Sequence, residues 1–272
     1  MSLSAWRLLD DPATRGAWNM AVDDALLRSC AAGAAGFPCL RFYRWDPPAL
    51  SLGYHQDVAK AADASALEGM GVDLVRRPTG GRAVLHEYEL TYSVVGQCRK
   101  GLLAGPVMQT YRRISEALVE GLLRLGFPAL LSGGERPTPR ESLDPCFARS
   151  ARCEVETGGA KVVGSVQLQQ GGALLQHGSI LLRFDAARLA LATGGGRVEK
   201  VVGLWGPGRP RVSHEELTAA LVAGFEHCFE VKLQPAGLSP AETGEARRLE
   251  REFYGNVDWT RKKPGPRRTA RT

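Results

Sequence analysis

The chain has 272 residues, 44% of them hydrophobic, and a formal net charge of +6. Its length and hydrophobic content are enough for one large domain with a full core. Its six cysteines are scattered without a C-x-x-C pair or a Cys/His cluster, which excludes a disulfide framework and a recognisable zinc motif. We therefore expect free thiols, no metal and no other cofactor. No run approaches the roughly 20 apolar residues of a membrane span, and the N-terminus has no apolar signal core. We expect a cytoplasmic protein without a membrane partner.

The positive charge is concentrated at the C-terminus. Six of the 35 Lys and Arg residues lie in 261–272, which leaves 29, equal to the 29 Asp and Glu residues. A neutral body does not predict a nucleic-acid groove, so nucleic acid is not an expected partner of the domain, 1–260. A basic tail broken by Pro and Gly is typical of a disordered, solvated segment. It could instead attract an acidic protein or bind RNA without specificity.

In chain order, the first half predicts one helix and then mainly strands. Residues 17–30 fit an amphipathic helix, with Met20, Ala25 and Leu27 mostly on one side. Strands are indicated at 38–45, 49–54, 72–77 and 89–95, with a short helix near 58–70.

A glycine pair, Gly80 and Gly81, follows the strand at 72–77, and Arg82 comes directly after it. Glycine tolerates positive φ, so the pair could simply form a tight turn. Alternatively, the backbone amides of this loop could hold an anionic or carbonyl group of a substrate. The glycine pair alone does not decide between these two interpretations.

The second half predicts a helix, a three-stranded meander and further helices. The helix at 106–126 has an apolar stripe with three- and four-residue steps, whereas 132–150 has no periodicity and is either a functional or a disordered loop. Gly-containing turns divide 153–184 into three antiparallel strands. Capping signals at Ser213 and Ser239 predict helices in a C-terminal part spanning about 213–255. The order indicates an α+β fold, with helices on a mixed or antiparallel sheet.

Cys146 is the best candidate nucleophile among the cysteines. It lies in the irregular segment, near Arg140, Arg149 and Arg152 in sequence, and Lys161 follows at the start of a strand. Only the thiolate is nucleophilic, and nearby cations lower a thiol pKa. The alternative is a loop thiol without a chemical role.

Two further stretches interrupt the strands of the meander. Gly164 and Ser165 break a β-branched run, and Gly178 follows His177 one strand later. Glycine inside a strand often permits close approach of a ligand. His177 could act as an acid or base, as a structural hydrogen-bond donor, or as an ordinary sheet residue.

Several of these stretches together resemble a known family. They are "NMAVDDALL" (19–27), "RFYRWDPPALSLGYHQ" (41–56), "RRPTGGRAVLHEYELTYSV" (76–94), "PCF" (145–147), "GAKVVGSVQ" (159–167) and "LLQHGSILL" (174–182). Over roughly residues 5–255 the chain is similar to the lipoate-protein ligase and octanoyltransferase superfamily, and most similar to the LipM-type octanoyltransferases. The resemblance implies a catalytic domain shared with biotin ligases, with a mixed, largely antiparallel sheet flanked by helices.

The resemblance also implies a reaction. Such enzymes take an octanoyl group from octanoyl-acyl carrier protein through a cysteine thioester to a lysine of a lipoyl-domain protein, typically the glycine cleavage H protein, in lipoate biosynthesis. Thioester-to-amide transfer is energetically downhill, so neither ATP nor a cofactor is implied. We expect the chain to act as a monomer.

By motif match, Cys146 corresponds to the acyl-thioester cysteine and Lys161 to the lysine that lowers its pKa. Seven residues correspond to positions lining the acyl and donor pocket, namely Arg77, Thr79, Gly80, Gly81, His86, Gly164 and Gly178. We add Arg82, Ser165 and His177 from the same motifs as expected substrate-binding residues. Arg82 occupies the place of a third glycine in ATP-dependent ligases, which argues against adenylate formation. Val166 replaces the usual alanine and could alter the acyl length that fits.

Three other activities stay open. One is an amidotransferase that moves octanoyl or lipoyl groups between lipoyl-domain proteins, and another is an ATP-dependent lipoate-protein ligase. The third, a binding module without catalysis, would act through the basic tail 261–272.

Overall fold

A computed structural model describes residues 4–133, 152–195, 200–206 and 211–262. The strands are β1 Ser4–Thr14, β2 Cys39–Trp45, β3 Ala49–Leu52, β4 Asp73–Arg76, β5 Val84–His86, β6 Glu89–Gln97, β7 Ala129–Gly133, β8 Arg152–Thr157, β9 Ala160–Gln170, β10 Ala173–Leu181 and β11 Val231–Pro235. The α-helices are α1 Gly16–Ala31, α2 Val58–Ala61, α3 Ala64–Met70, α4 Val107–Arg124, α5 Ala186–Thr193, α6 His214–Phe229, α7 Pro240–Leu249 and α8 Val257–Arg261, with a π-helical turn at Glu250–Tyr254.

Two sheets organise the fold. The large sheet has eight strands in the order β11-β1-β2-β6-β10-β9-β8-β7, and the small sheet has the order β4-β3-β5. The ladders of β1 with β2 and β11, and of β3 with β4, are parallel, whereas all the others are antiparallel. The predicted α+β class, with a mixed and largely antiparallel sheet, is confirmed, and so is the meander β8-β9-β10.

The large sheet separates two hydrophobic layers. One face packs on α4 and α6, and the other packs on α1 and α7. Helices α4 and α6 cross closely because glycines meet at the contact: a Cβ on Gly224 would lie 2.5 Å from the carbonyl oxygen of Ala117. The predicted stripe of α4 is buried at Ile114, Leu118 and Leu122, although Val107 at its start is 43% exposed.

Helix α1 confirms the helix predicted at 17–30, but the expectation that it is amphipathic is wrong. Most of its length is buried, including the polar side chains of Asn19 and Asp23. Buried polar groups need hydrogen-bond partners, and both residues find them in the neighbouring strands. A helix that is buried nearly all round carries no clear polar face in its sequence.

The C-terminal segment is more than a helical appendage. Both predicted capping boxes are present, at Ser213 with Glu216 and at Ser239 with Glu242. Between these helices, however, β11 pairs in parallel with β1 at the edge of the large sheet, and neither strand was predicted. Strands β5 and β7 and helix α5 were not predicted either.

The residues of the irregular segment beyond Gly133, up to position 151, lie outside the described residues, and so does the tail from 263 onward. Among the helices that the structure describes, none has the length and apolar character needed to cross a membrane. The described residues also contain no cluster of three or more His, Cys, Asp and Glu side chains arranged to hold a metal ion.

Candidate active site

A cavity lies where the small sheet faces the α1 side of the large sheet. The space between its walls is about 340 Å³ when the solvent at its open side is included. Its lining comes from α1, both sheets and the turn after β4: Met20, Tyr43, Trp45, Ser51, Arg77, Val84, His86, Thr91, Gly164, Val166, His177, Gly178 and Ser179. Met20 and Tyr43 are almost inaccessible, whereas Val166 and Gly178 are partly exposed. The cavity therefore reaches the surface near Val166 and Gly178.

The glycine pair forms a tight turn beside this cavity. Gly81 has φ +87°, which favours glycine. The turn also touches Gly53, because a Cβ there would lie 1.9 Å from the carbonyl oxygen of Gly81. The Arg77 guanidinium holds the turn by donating to the carbonyl oxygens of Gly80 (2.7 Å) and Arg82 (2.7 Å). Gly81 thus has the positive φ that the turn interpretation requires, whereas Gly80 has open space on its Cβ side.

His177 is held between a buried carboxylate and a hydroxyl. Its Nδ1 lies 2.9 Å from Oδ2 of Asp23, and its Nε2 lies 2.7 Å from Oγ1 of Thr79. An ionised carboxylate only accepts hydrogen bonds, so Nδ1 carries the proton and Thr79 donates to Nε2. Asp23 also accepts from Arg41 and Tyr43 at 2.9 Å each.

Burial and partners shift the pKa values of this pair in the same direction. Burial lowers the pKa of His177 below its ordinary 6.5, and it outweighs the opposing hydrogen bond to Asp23. For Asp23, burial alone would raise the pKa, but the His177 hydrogen bond and the Arg41 charge together lower it. The pair is therefore a neutral imidazole beside an ionised carboxylate near neutral pH.

His86, another residue of the lining, has a parallel arrangement. Its Nδ1 lies 2.7 Å from Oε1 of Glu89, and its Nε2 lies 2.8 Å from Oγ of Ser51. The ring stacks on Trp45, with centroids 3.9 Å apart and planes 10° apart. Trp45 Nε1 donates to Oγ1 of Thr91 at 2.7 Å. The histidines and Trp45 of the lining therefore bond to neighbouring side chains, several of which lie behind the cavity wall.

The comparisons with known proteins agree with this architecture. Residues 15–226 match the family model described as the lipoyl protein ligase A/B catalytic domain. Octanoyltransferase LipM of Symbiobacterium thermophilum is 41% identical over 95% of this chain and 98% of its own length, and octanoyltransferase LipM of Carboxydothermus hydrogenoformans is 39% identical over 94% and 98%. The chain belongs to the LipM octanoyltransferases.

Solved structures show the same fold. A lipoate-protein ligase A bound with ATP superimposes with a TM-score of 0.79 at 27% identity, covering 96% of this chain and 99% of that one. A bipartite lipoate protein ligase from Thermoplasma acidophilum, solved in a study of an archaeal lipoylation system with its E2 lipoyl domain, gives 0.78 at 24% identity, with coverage of 97% and 99%.

The residues expected to bind substrate lie in and around the cavity, with one on the other side of the sheet. Five line the cavity: Arg77, His86, Gly164, His177 and Gly178. Four more lie next to lining residues rather than in the lining itself. Thr79 bonds to His177, and Arg77 contacts Gly80, Gly81 and Arg82. Ser165 instead faces α4, where its Oγ lies 2.7 Å from the Tyr92 hydroxyl and its backbone oxygen accepts from Tyr111.

Lys161 is buried (2% exposed) at the start of β9, outside the lining of this cavity. Its Nζ donates to Oε1 of Glu154 at 2.5 Å, which provides the partner that a buried ammonium requires. Its backbone is bonded on both sides, to Lys200 and Val202. Cys146 lies outside the described residues.

Sequence reasoning missed the carboxylates that orient the site. Asp23 and Glu89 each accept from a cavity histidine, and Glu154 pairs with Lys161. Asp23 lay in a quoted motif, and an acid inside an otherwise apolar helix was a usable signal. Glu89 also lay in a quoted motif (76–94), but an acid at the first position of a strand is not unusual, and Glu154 gave no signal.

Acidification should destabilise the fold through His177. Its folded-state pKa lies below the unfolded value of 6.5, so the unfolded chain binds the extra proton first. Stability that is present above pH 6.5 is therefore lost as pH falls below it. We expect the free energy of unfolding, measured in urea from pH 8 to 5, to fall less steeply for His177→Gln than for wild type. His214→Gln, which changes a helix-terminal histidine at the surface, is the control and should keep the wild-type slope. Parallel curves for wild type and His177→Gln would contradict this assignment.

Proposed function

We propose that the chain transfers an octanoyl group from octanoyl-acyl carrier protein, through a thioester on Cys146, to a lysine of a lipoyl-domain protein in lipoate biosynthesis. The glycine cleavage H protein is the proposed acceptor, and the cytoplasm is the proposed compartment. Full-length similarity to LipM octanoyltransferases supports the reaction type. The observation that carries the proposal at the site is the cavity, whose histidines and Trp45 are hydrogen-bonded to neighbouring side chains.

Such a cavity suits an alkyl chain. Each methylene moved out of water contributes about 0.8 kcal/mol, provided that no lining donor or acceptor is left unpaired by the chain. The hydrogen bonds of His177 with Asp23 and Thr79, and of Trp45 with Thr91, meet this condition. We further propose that Met20, a buried residue of the lining, forms a floor against which the length of the acyl chain is measured.

The proposed chemistry has two steps. The Cys146 thiolate attacks the carrier thioester, the carbon–sulfur bond to the carrier breaks, and the carrier leaves as a thiol after taking a proton. The uncharged acceptor lysine then attacks the Cys146 thioester, the carbon–sulfur bond to Cys146 breaks as the amide forms, and the proton lost by the amine passes to the leaving sulfur or to solvent. Covalent catalysis divides a three-body transfer into two binary encounters. In this proposal the Lys161 ammonium favours the thiolate and stabilises the oxyanion of each tetrahedral intermediate.

Acylation of Cys146 tests the function directly. Incubation with octanoyl-acyl carrier protein should increase the intact mass of the wild type by one octanoyl group, and hydroxylamine should remove it because a thioester is labile. Cys146→Ala should show no adduct, and Cys228→Ala, which changes an exposed cysteine, should behave as wild type. An adduct on Cys146→Ala, or none on wild type, would sink the proposal. Activity of Cys146→Ala with octanoic acid and ATP would identify a ligase instead, and use of an octanoylated lipoyl-domain donor would identify an amidotransferase.

Replacement of Lys161 tests its proposed electrostatic role. We expect a rate of acylation that rises with pH through the pKa of the Cys146 thiol, which a neighbouring ammonium holds below the free-cysteine value of roughly 8.5. Lys161→Ala should move this rising limb to higher pH. Lys232→Ala removes an exposed lysine and should leave it unchanged. Superimposable profiles for Lys161→Ala and wild type would show that lysine does not tune the thiol.

Met20 should set the acyl length. Met20→Ala extends the floor of the cavity by several heavy atoms, so kcat/KM for decanoyl relative to octanoyl donor should rise about tenfold, in the range that one or two methylenes contribute to discrimination. The ratio is the proper measure because truncating a buried Met costs stability of about 2–5 kcal/mol. Met108→Ala, a change at a 52% exposed Met of α4, is the control. An unchanged ratio in Met20→Ala would place the end of the acyl chain elsewhere.

A further inference from the structure

Glu89, which lies outside the expected site residues, has an uneven set of partners. Three side chains converge on its Oε1: His86 Nδ1 at 2.7 Å, Thr91 Oγ1 at 2.5 Å and Ser179 Oγ at 2.8 Å. Its other oxygen, Oε2, is buried without a hydrogen-bond partner among the described residues. The whole residue is 3% exposed. One buried carboxylate oxygen therefore accepts three contacts while the other accepts none.

These contacts fix the direction of a chain of hydrogen bonds. Since the carboxylate can only accept, His86 carries its proton on Nδ1, and its Nε2 accepts from Ser51. The Ser51 oxygen is then left to accept from Nη1 of Arg77 at 3.1 Å. Arg77 in turn holds the glycine turn through the carbonyl oxygens of Gly80 and Arg82.

We propose that Glu89 is a positioning residue of the transfer site, which holds His86 in the Nδ1–H tautomer and, through Ser51 and Arg77, fixes the glycine turn beside the acyl cavity. The connection to catalysis rests on the proposed function, whereas the tautomer does not. Outer partners that orient a metal-bound histidine commonly contribute ten- to a hundredfold to the function of a site, and we expect an effect of the same order here, since a misplacement of about 1 Å can cost a hundredfold in rate.

Stability alone accounts poorly for this arrangement. A buried carboxylate with one unpartnered oxygen is costly, and apolar side chains of similar volume often stabilise such a position as well or better. What the carboxylate provides, and an apolar group cannot, is an acceptor that dictates which nitrogen of His86 carries the proton. If that proton moved to Nε2, both His86 and Arg77 would donate to Ser51, whose own hydroxyl would lose its acceptor.

The tautomer can be measured without any assay of transfer. Nitrogen-15 chemical shifts of labelled histidines distinguish protonated from unprotonated ring nitrogens, and the His86 signals are assigned by their loss in His86→Gln. We expect the proton on Nδ1 in the wild type. In Glu89→Leu, which removes the acceptor at similar volume, the His86 signals should move toward the Nε2–H form. A wild-type proton on Nε2 would overturn the proposal whatever the kinetics show.

Kinetics then connect the tautomer to the reaction. We expect kcat/KM for octanoyl transfer to fall about ten- to a hundredfold in Glu89→Leu, and Glu89→Gln to recover part of it because an amide oxygen can still accept. Glu87→Leu is the matched control, since this acid lies two residues away and pairs with Arg188 at 2.9 Å. It should keep the wild-type rate. A folded Glu89→Leu that transfers at the wild-type rate would refute the positioning role.

Ser51→Ala provides a second test that does not require Glu89→Leu to fold. It removes the next hydroxyl in the same series of hydrogen bonds, between His86 and Arg77, so it should reduce kcat/KM by a similar factor. The double variant Glu89→Gln/Ser51→Ala should lose no more than Ser51→Ala alone. A wild-type rate for Ser51→Ala, or losses that multiply in the double variant, would contradict the proposal. If the wild type itself transfers no octanoyl group, the proposed function fails while the nitrogen-15 result still decides the role of Glu89 at His86.

Discussion

The carboxylate of Asp23 is the interaction on which the rest of the structure depends. It is fully buried and accepts hydrogen bonds from Arg41 and Tyr43 on β2, Ser93 on β6 and His177 on β10. One side chain of α1 thus bonds to three adjacent strands of the large sheet. A buried charge is tolerated only when it is paired and hydrogen-bonded, so the presence of Asp23 requires this whole arrangement to form together.

The cavity follows from the same constraint. Polar residues line much of it, yet the histidines, Trp45 and Arg77 direct their hydrogen bonds to neighbouring side chains and backbone. A wall with satisfied donors and acceptors behaves toward an alkyl chain like an apolar wall, because inserting the chain breaks no hydrogen bond. In the proposed reaction, the same wall presents charged and polar groups near the acyl carbonyl. This combination fits a family that transfers a medium-length acyl group.

Much of the architecture was predictable because its signals are local. The helix α4, the capped helices α6 and α7, and the meander β8-β9-β10 carry their caps, turns and periodicities within a dozen or so neighbouring residues. By contrast, β1 and β11 form the parallel edge of the large sheet although more than 200 residues separate them. Strands joined over such a distance have no common local signal, and β1 carries acids and a proline that argue against a strand.

By itself the sequence determined the fold class, the family motifs and the residue types available for chemistry, because motif order and turn chemistry are properties of neighbouring residues. Only the tertiary structure decided which of those residues meet. It brought His177 to Asp23 and His86 to Glu89, paired Lys161 with Glu154, and turned Ser165 toward α4 while its neighbour Val166 lines the cavity. The reason is physical: the protonation and direction of a buried polar group depend on partners that are distant in the chain, and burial makes those partners obligatory.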